Sequence, residues 1–127
     1  MRKKTKPYGF ELILDLNGCN VSTFKRTSLR KYFTNLCKAI DMKRCELHFW
    51  DDYRVPKEKR QVLSHTKGTS AVQFILTSSI VIHTLDMLEA VYINIFSCKK
   101  FDKKVAEQIT KEWFGAKKCK SHFIERI

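Results

Sequence analysis

The segment Ala71-Val72-Gln73-Phe74-Ile75-Leu76-Thr77-Ser78-Ser79-Ile80-Val81-Ile82-His83-Thr84 decides the fold class. Residues 71–76 are almost wholly apolar, and Ile80, Val81 and Ile82 resume the run beyond Thr77-Ser78-Ser79. Two apolar, β-branched runs meeting at a pair of serines read as two strands joined by a very tight turn. The turn carries no Gly, Pro, Asn or Asp, the residues that reach turn dihedrals at least cost. A turn built from Thr-Ser-Ser is therefore expected to hold local strain, and strain that persists is often functional. The Ser78 hydroxyl lies close along the chain to the Thr77 carbonyl. Held in place, it can attack its own preceding peptide bond.

Outward from this hairpin the periods change in order. Phe10, Leu12, Leu14 and Leu16 alternate along a half-buried strand, and Asn17-Gly18-Cys19-Asn20 supplies turn chemistry. Leu29, Phe33, Leu36, Cys37 and Ile40 then form a helical stripe, with Thr27 or Ser28 as the expected N-cap. Residues 44–50 alternate again, with Cys45, Leu47 and Phe49 on one side and Glu46, His48 and Trp50 on the other. Residues 51–60 read as a charged loop containing a proline. Val91, Ile93 and Ile95 oppose Tyr92, Asn94 and Phe96 in a further strand. Asp102 reads as the N-cap of a second helix, with Val105, Ile109 and Trp113 inward and Gly115 closing it. A last short strand is expected over 118–125. Several strands in succession with two intervening helices predict an α+β fold: a two-layer sandwich of an antiparallel sheet with both helices packed on one face.

With 127 residues the chain is expected to be one domain with a single two-layer core. No run of 18 apolar residues occurs, and the basic N-terminus lacks the apolar stretch of a signal peptide. Five cysteines at 19, 37, 45, 98 and 119, with no C-x-x-C spacing, point to a reducing cytoplasm and to neither a disulfide scaffold nor a metal site. The 25 Lys and Arg against 13 Asp and Glu give a net charge of +12, but they are dispersed and accompany no nucleic-acid motif. Solvated charge, or attraction of acidic partner chains or anionic substrates, accounts for them more simply than nucleic-acid binding.

Gly68-Thr69-Ser70, seven mostly apolar residues, Ser78 and then Ile82-His83-Thr84 resemble the core of the small bacterial and archaeal S-adenosylmethionine decarboxylases. The resemblance continues through Ala90-Val91-Tyr92-Ile93-Asn94-Ile95-Phe96-Ser97-Cys98 and reaches back to Gly9-Phe10-Glu11 and on to Cys19. It spans roughly the whole chain apart from the first few residues and the 51–62 loop. It implies self-cleavage between Thr77 and Ser78 into fragments 1–77 and 78–127, with Ser78 becoming a covalent pyruvoyl group. The ketone of such a group forms a Schiff base with a substrate amine and acts as the electron sink for decarboxylation. By the same resemblance His83 serves processing and proton movement, Cys98 returns a proton to the product, and Ser70 assists processing. The implied protein is a cytoplasmic homodimer of cleaved chains in polyamine, specifically spermidine, synthesis.

The sequence also departs from the family pattern. Thr77 and Ser79 stand where the family has Glu and His, and Leu85-Asp86-Met87 stands for Trp-Pro-Glu. Ser64 or His65 occupies the place of an adenine-stacking aromatic, and Gly9-Phe10-Glu11 replaces a Gly-x-His motif. The pyruvoyl-forming residues are thus better matched than the adenosine pocket. Glu11, Asp86 and Glu89 are the carboxylates expected to pair a cationic substrate side chain, should the substrate be arginine or ornithine. The remaining alternative is an uncleaved, non-catalytic relative that regulates an enzymatic partner as a heterodimer.

Overall fold

A computed structural model describes residues 6–127. The basic N-terminal stretch discussed above, up to Thr5, lies outside the described residues. The elements follow in the order β1 (Gly9–Asn17), α1 (Arg26–Ala39), β2 (Arg44–Trp50), β3 (Gly68–Ile75), β4 (Ser78–Leu85), β5 (Ala90–Ser97), α2 (Lys103–Phe114) and β6 (Lys118–Arg126). Short 3-10 turns occupy Val21–Phe24 and Lys57–Lys59. The six strands form one sheet in the order β2-β3-β4-β5-β1-β6, with every neighbouring pair antiparallel. The expected α+β sandwich is therefore the observed one.

Strict alternation explains why one sheet face is covered. Leu12, Leu14 and Leu16 of β1, Ala71 and Ile75 of β3, Ile80 and Ile82 of β4, and Val91, Ile93 and Ile95 of β5 are buried in one core. Leu29, Tyr32, Phe33, Leu36 and Cys37 of α1 close over them, with Ala106 and Phe114 of α2. The opposite face carries Trp50, Ser70, Phe74, His83 and Tyr92, and no element of the described chain covers it.

The structure corrects five local expectations. The hairpin turn is Leu76-Thr77, since Ile75 pairs with Ser78, so the serines open β4 rather than forming the turn. Helix α1 begins at Arg26, ahead of Thr27 and Ser28, and its N-cap Lys25 makes no side-chain cap bond. In α2 the inward stripe is Ala106, Thr110 and Phe114; Ile109 and Trp113 are half-buried and Val105 faces solvent. Cys45 is exposed because β2 slips register between Arg44 and Leu47. Buried Gln73 occupies that irregularity, donating its Nε2 to the Cys45 carbonyl at 3.1 Å. Finally, β6 is no short strand: it pairs along the whole of β1. Asp102 and Gly115 cap α2 as expected: Asp102 Oδ1 accepts from Lys104 and Val105 N–H, and Gly115 adopts φ 60°.

Candidate active site

Thr77 is the hinge of the site. It adopts φ 51°, a left-handed conformation that is a genuine outlier for a β-branched residue. The strain expected of the hairpin is thus present, and it sits on the residue immediately before Ser78. Strand pairing and a hydrogen bond, not burial, hold the exposed residue there. The hairpin register fixes Ile75 against Ser78, and the Thr77 hydroxyl donates to the Leu76 carbonyl at 2.8 Å.

Cys98, just beyond β5, lies directly beside this turn. Its backbone N–H donates to Ser78 Oγ at 2.9 Å, and its Sγ is 3.1 Å from Thr77 Oγ1 and 3.7 Å from the Leu76 carbonyl oxygen. Hydrogen bonds from Thr77 first and Ser78 second hold the Cys98 thiol below its ordinary value of 9.0. Burial pushes the thiols of Cys19 and Cys37 the other way, up to about 11, and Cys119 also rises through burial. Cys98 is thus the thiol whose surroundings favour the thiolate, whereas burial disfavours it at those three. Buried Ser97 fixes the bend that presents it, donating to the Lys99 carbonyl at 2.6 Å and accepting from Lys99 N–H at 3.0 Å.

Ser78 and Cys98 open onto a cavity of about 400 Å³ lined also by Asp41, Met42, Lys43, Ile75, Leu76, Ser97 and Lys99. Lys99 Nζ bridges to Asp41, donating to its carbonyl at 2.7 Å and to its carboxylate at 2.8 Å, which pins the loop after α1 to the mouth. That bridge depresses the Asp41 carboxyl below its usual value. Sequence reading missed Asp41, Lys43 and Lys99, because nothing along the chain signals that the end of α1 meets the end of β5.

The other expected pair stands elsewhere. Ser70 Oγ is 2.7 Å from His83 Nδ1, a cross-strand pair between β3 and β4. His83 is five residues along β4 from Ser78, about 16 Å at ~3.3 Å per residue. It also belongs to the uncovered face, whereas Ser78 shares the parity of buried Ile80 and Ile82. The Ser70–His83 pair lines a separate cavity of about 410 Å³ with Trp50, Asp51, Asp52 and His65 among others. The four expected residues therefore form two pairs, and within one chain the pairs do not meet. Trp50 is 85% exposed at this second cavity, a flat aromatic surface that the strand pattern alone did not single out as functional.

The three carboxylates named for a cationic substrate do not line the Ser78 cavity. Glu11 is engaged by Arg126 at 2.7 Å and by Asn94 at 3.0 Å. Asp86 begins the turn after β4, beside Lys67, Gly68 and Thr69, and burial raises its carboxyl above the usual value. Glu89 is exposed in the same turn with φ 49°. Gly68 at this end admits no side chain, since a Cβ there would collide with the Thr84 carbonyl oxygen. Among the described residues no three His, Cys, Asp or Glu side chains gather as metal ligands, and no helix is long and apolar enough to cross a membrane.

Comparison with known proteins agrees with this frame. The protein family described as S-adenosylmethionine decarboxylase matches residues 10–127. A crystal structure of the adenosylmethionine decarboxylase from Aquifex aeolicus superposes with a TM-score of 0.74 at 17% identity, covering 96% of this chain and 92% of that one. No curated protein matches the chain in sequence.

Proposed function

The chain belongs to the S-adenosylmethionine decarboxylase family, and from that premise we propose that it is a self-processing, pyruvoyl-dependent S-adenosylmethionine decarboxylase of polyamine synthesis. The observation that carries the reading is the Ser78 hydroxyl, held by the Cys98 N–H immediately after a residue in a strained left-handed conformation. A pyruvoyl group fits here, because Ser78 opens on a cavity of about 400 Å³ with Cys98 beside it. Such a group would supply a ketone able to capture a substrate amine and a sink for the electrons that CO₂ leaves behind.

The chain's own residues supply the rest. Ser78 Oγ attacks the Thr77 carbonyl carbon and an ester replaces the amide. Loss of the residue-78 Cα proton then breaks the Cβ–Oγ bond, expels the Thr77 carboxylate and splits the chain. The dehydroalanine left at residue 78 tautomerises to an imine, and water adds its oxygen as ammonia leaves, giving the ketone. The Ser70–His83 pair is the acceptor for that proton. Cys98, with its lowered thiol, returns a proton to the product carbon.

Because the two pairs lie apart in one chain, we assign the working unit as a homodimer in which one subunit's Ser70–His83 faces its partner's Ser78–Cys98. The uncovered sheet face supports this assignment: it exposes Trp50, Phe74, Tyr92 and Ile124, surface that an isologous pair would bury. Of the three carboxylates, Asp86 lies at the same strand end as Ser70 and His83, so it is the one to test for contact with a cationic substrate group. A second reading, an uncleaved partner-binding chain, is favoured by the same separation of the pairs.

The test is the intact mass of the purified protein under denaturing conditions. Fragments 1–77 and 78–127, the second with a blocked, carbonyl-reactive N-terminus, are expected, together with CO₂ release from S-adenosylmethionine. A single intact chain after long incubation would sink the enzyme reading in favour of the second one. Cleaved chains that release CO₂ from arginine or ornithine instead would change only the substrate.

A further inference from the structure

We propose that Thr77 is a positioning residue for self-processing: its hydroxyl, 3.1 Å from Cys98 Sγ, holds that sulfur beside the Ser78 hydroxyl so that Cys98 takes the Ser78 proton during the attack. This deepens the reading above and rests on it. The residue before the cleaved serine then supplies more than the acyl group: its side chain belongs to the machinery.

The hydrogen bonds define two states of one small network. With Cys98 as a thiol, S–H points to the Leu76 carbonyl oxygen at 3.7 Å, and the Thr77 hydroxyl also donates to that oxygen at 2.8 Å. With Cys98 as a thiolate, the sulfur no longer donates and accepts instead. The Thr77 hydroxyl, 3.1 Å from the sulfur, and the Ser78 hydroxyl, held on Cys98 by its backbone N–H at 2.9 Å, are the donors available to stabilise it. His83 does not compete for this role within the chain, since it pairs with Ser70 on the other face. The charged groups that line the cavity around Cys98 are Asp41, Lys43 and Lys99, and Asp41 and Lys99 neutralise each other.

The step balances without an outside reagent. The Ser78 Oγ–H proton passes to the thiolate as Oγ bonds to the Thr77 carbonyl carbon, and the carbonyl π pair moves to its oxygen. When that pair returns, the bond from Thr77 carbon to Ser78 nitrogen breaks. The nitrogen takes the proton back from Cys98 S–H, leaving an ester, a free amine and the thiolate. Proton removal at Cα by the Ser70–His83 pair comes afterwards and is a separate event.

Thr77→Val keeps the shape and branching and deletes the hydroxyl, and Thr77→Ser keeps the hydroxyl. Two readouts separate this inference from the function it rests on. The first is the pH profile of Cys98 alkylation by iodoacetamide, resolved by peptide mass in a Ser78→Ala background that cannot cleave. Thr77→Val is expected to move the midpoint up by roughly one pH unit, and Thr77→Ser to leave it in place. The second is the cleavage half-time by intact mass, where Thr77→Val should be slower by about tenfold and Thr77→Ser close to the parent. An unshifted alkylation profile in Thr77→Val overturns the proposal, as does parental cleavage in that variant. If the parent itself never cleaves, the functional reading fails, while the alkylation profile still decides whether Thr77 governs Cys98.

Discussion

Thr110 and Asp86 are two residues whose surroundings contradict their type. Thr110 is buried in the middle of α2's inner face, where it donates to the Ala106 carbonyl at 2.7 Å and meets the Tyr32 hydroxyl at 2.7 Å. Both hydroxyls are thus satisfied inside the core, the condition for burying them. A polar residue in this place hid the true stripe from the sequence, and Val105 took its place in the reading. Asp86 is a carboxylate that burial disfavours as an anion, with Lys67 only partly offsetting it. Its folded pKa lies above the unfolded one, so between the two values the folded protein holds a proton that the unfolded chain has lost. Stability therefore falls as pH rises through that window, which starts near the ordinary 3.8 and ends at the raised folded value, and stays reduced above it. Asp86→Asn removes the loss. It is expected to be more stable than the parent at neutral pH by a few tenths of a kcal/mol, small because the side chain is still partly solvated. The difference should close as pH drops below the window. Urea denaturation at pH 7 and pH 3 reads it, and an equal gain at both pH values would remove burial of the charge as its cause.

Helix ends separate what the chain's pattern carries from what it does not. The start and stop of α2 were legible because Asp102 and Gly115 carry the chemistry of their positions in their side chains, or in the lack of one. The start of α1 was not, because Lys25 has a capping backbone (φ −74°, ψ 152°) and no capping side chain. Thr27 and Ser28 are suitable caps lying two and three residues too far in, and a helix can begin before them because the buried Phe24 and Leu29 anchor both sides of Lys25. The same contrast predicts opposite signs. Asp102→Ala frees two N–H groups and should cost about 1 kcal/mol. Lys25→Asp supplies the absent acceptor and replaces a positive charge with a negative one at the positive end of α1, so it should add about 0.5–1 kcal/mol. Thermal unfolding of the two variants beside the parent tests both. A destabilised Lys25→Asp would mean that Lys25 makes an interaction worth more than a cap.

At the scale of the molecule, the sheet order was legible only in part. Alternation and turn chemistry predicted the strands, and the β3-β4 hairpin followed from its short connection. That β1 lies between β5 and β6 depends on long-range pairing that no local pattern encodes. The same limit applies to the site. Spacing along the chain matched Ser70, Ser78, His83 and Cys98 together, yet alternation puts residues an odd number apart on opposite faces of a strand. Ser78 and His83 are five apart, so no rotamer brings them together while β4 is intact, and a second subunit is the economical way to unite them. Subunit mixing tests this directly. Ser78→Ala removes the proposed attacking hydroxyl and His83→Ala the proposed proton acceptor, so each variant alone should remain uncleaved. In a mixed pair, Ser78 of the His83→Ala chain faces an intact Ser70–His83 on the Ser78→Ala chain. Coexpression in equal amounts should therefore cleave about half of the His83→Ala chains, the share paired with the other variant under random isologous pairing. Intact mass distinguishes the two chains and their fragments. If the mixed sample stays uncleaved while the parent processes, Ser78 and His83 act within one chain, and β4 must then unfold from its hairpin to bring them together.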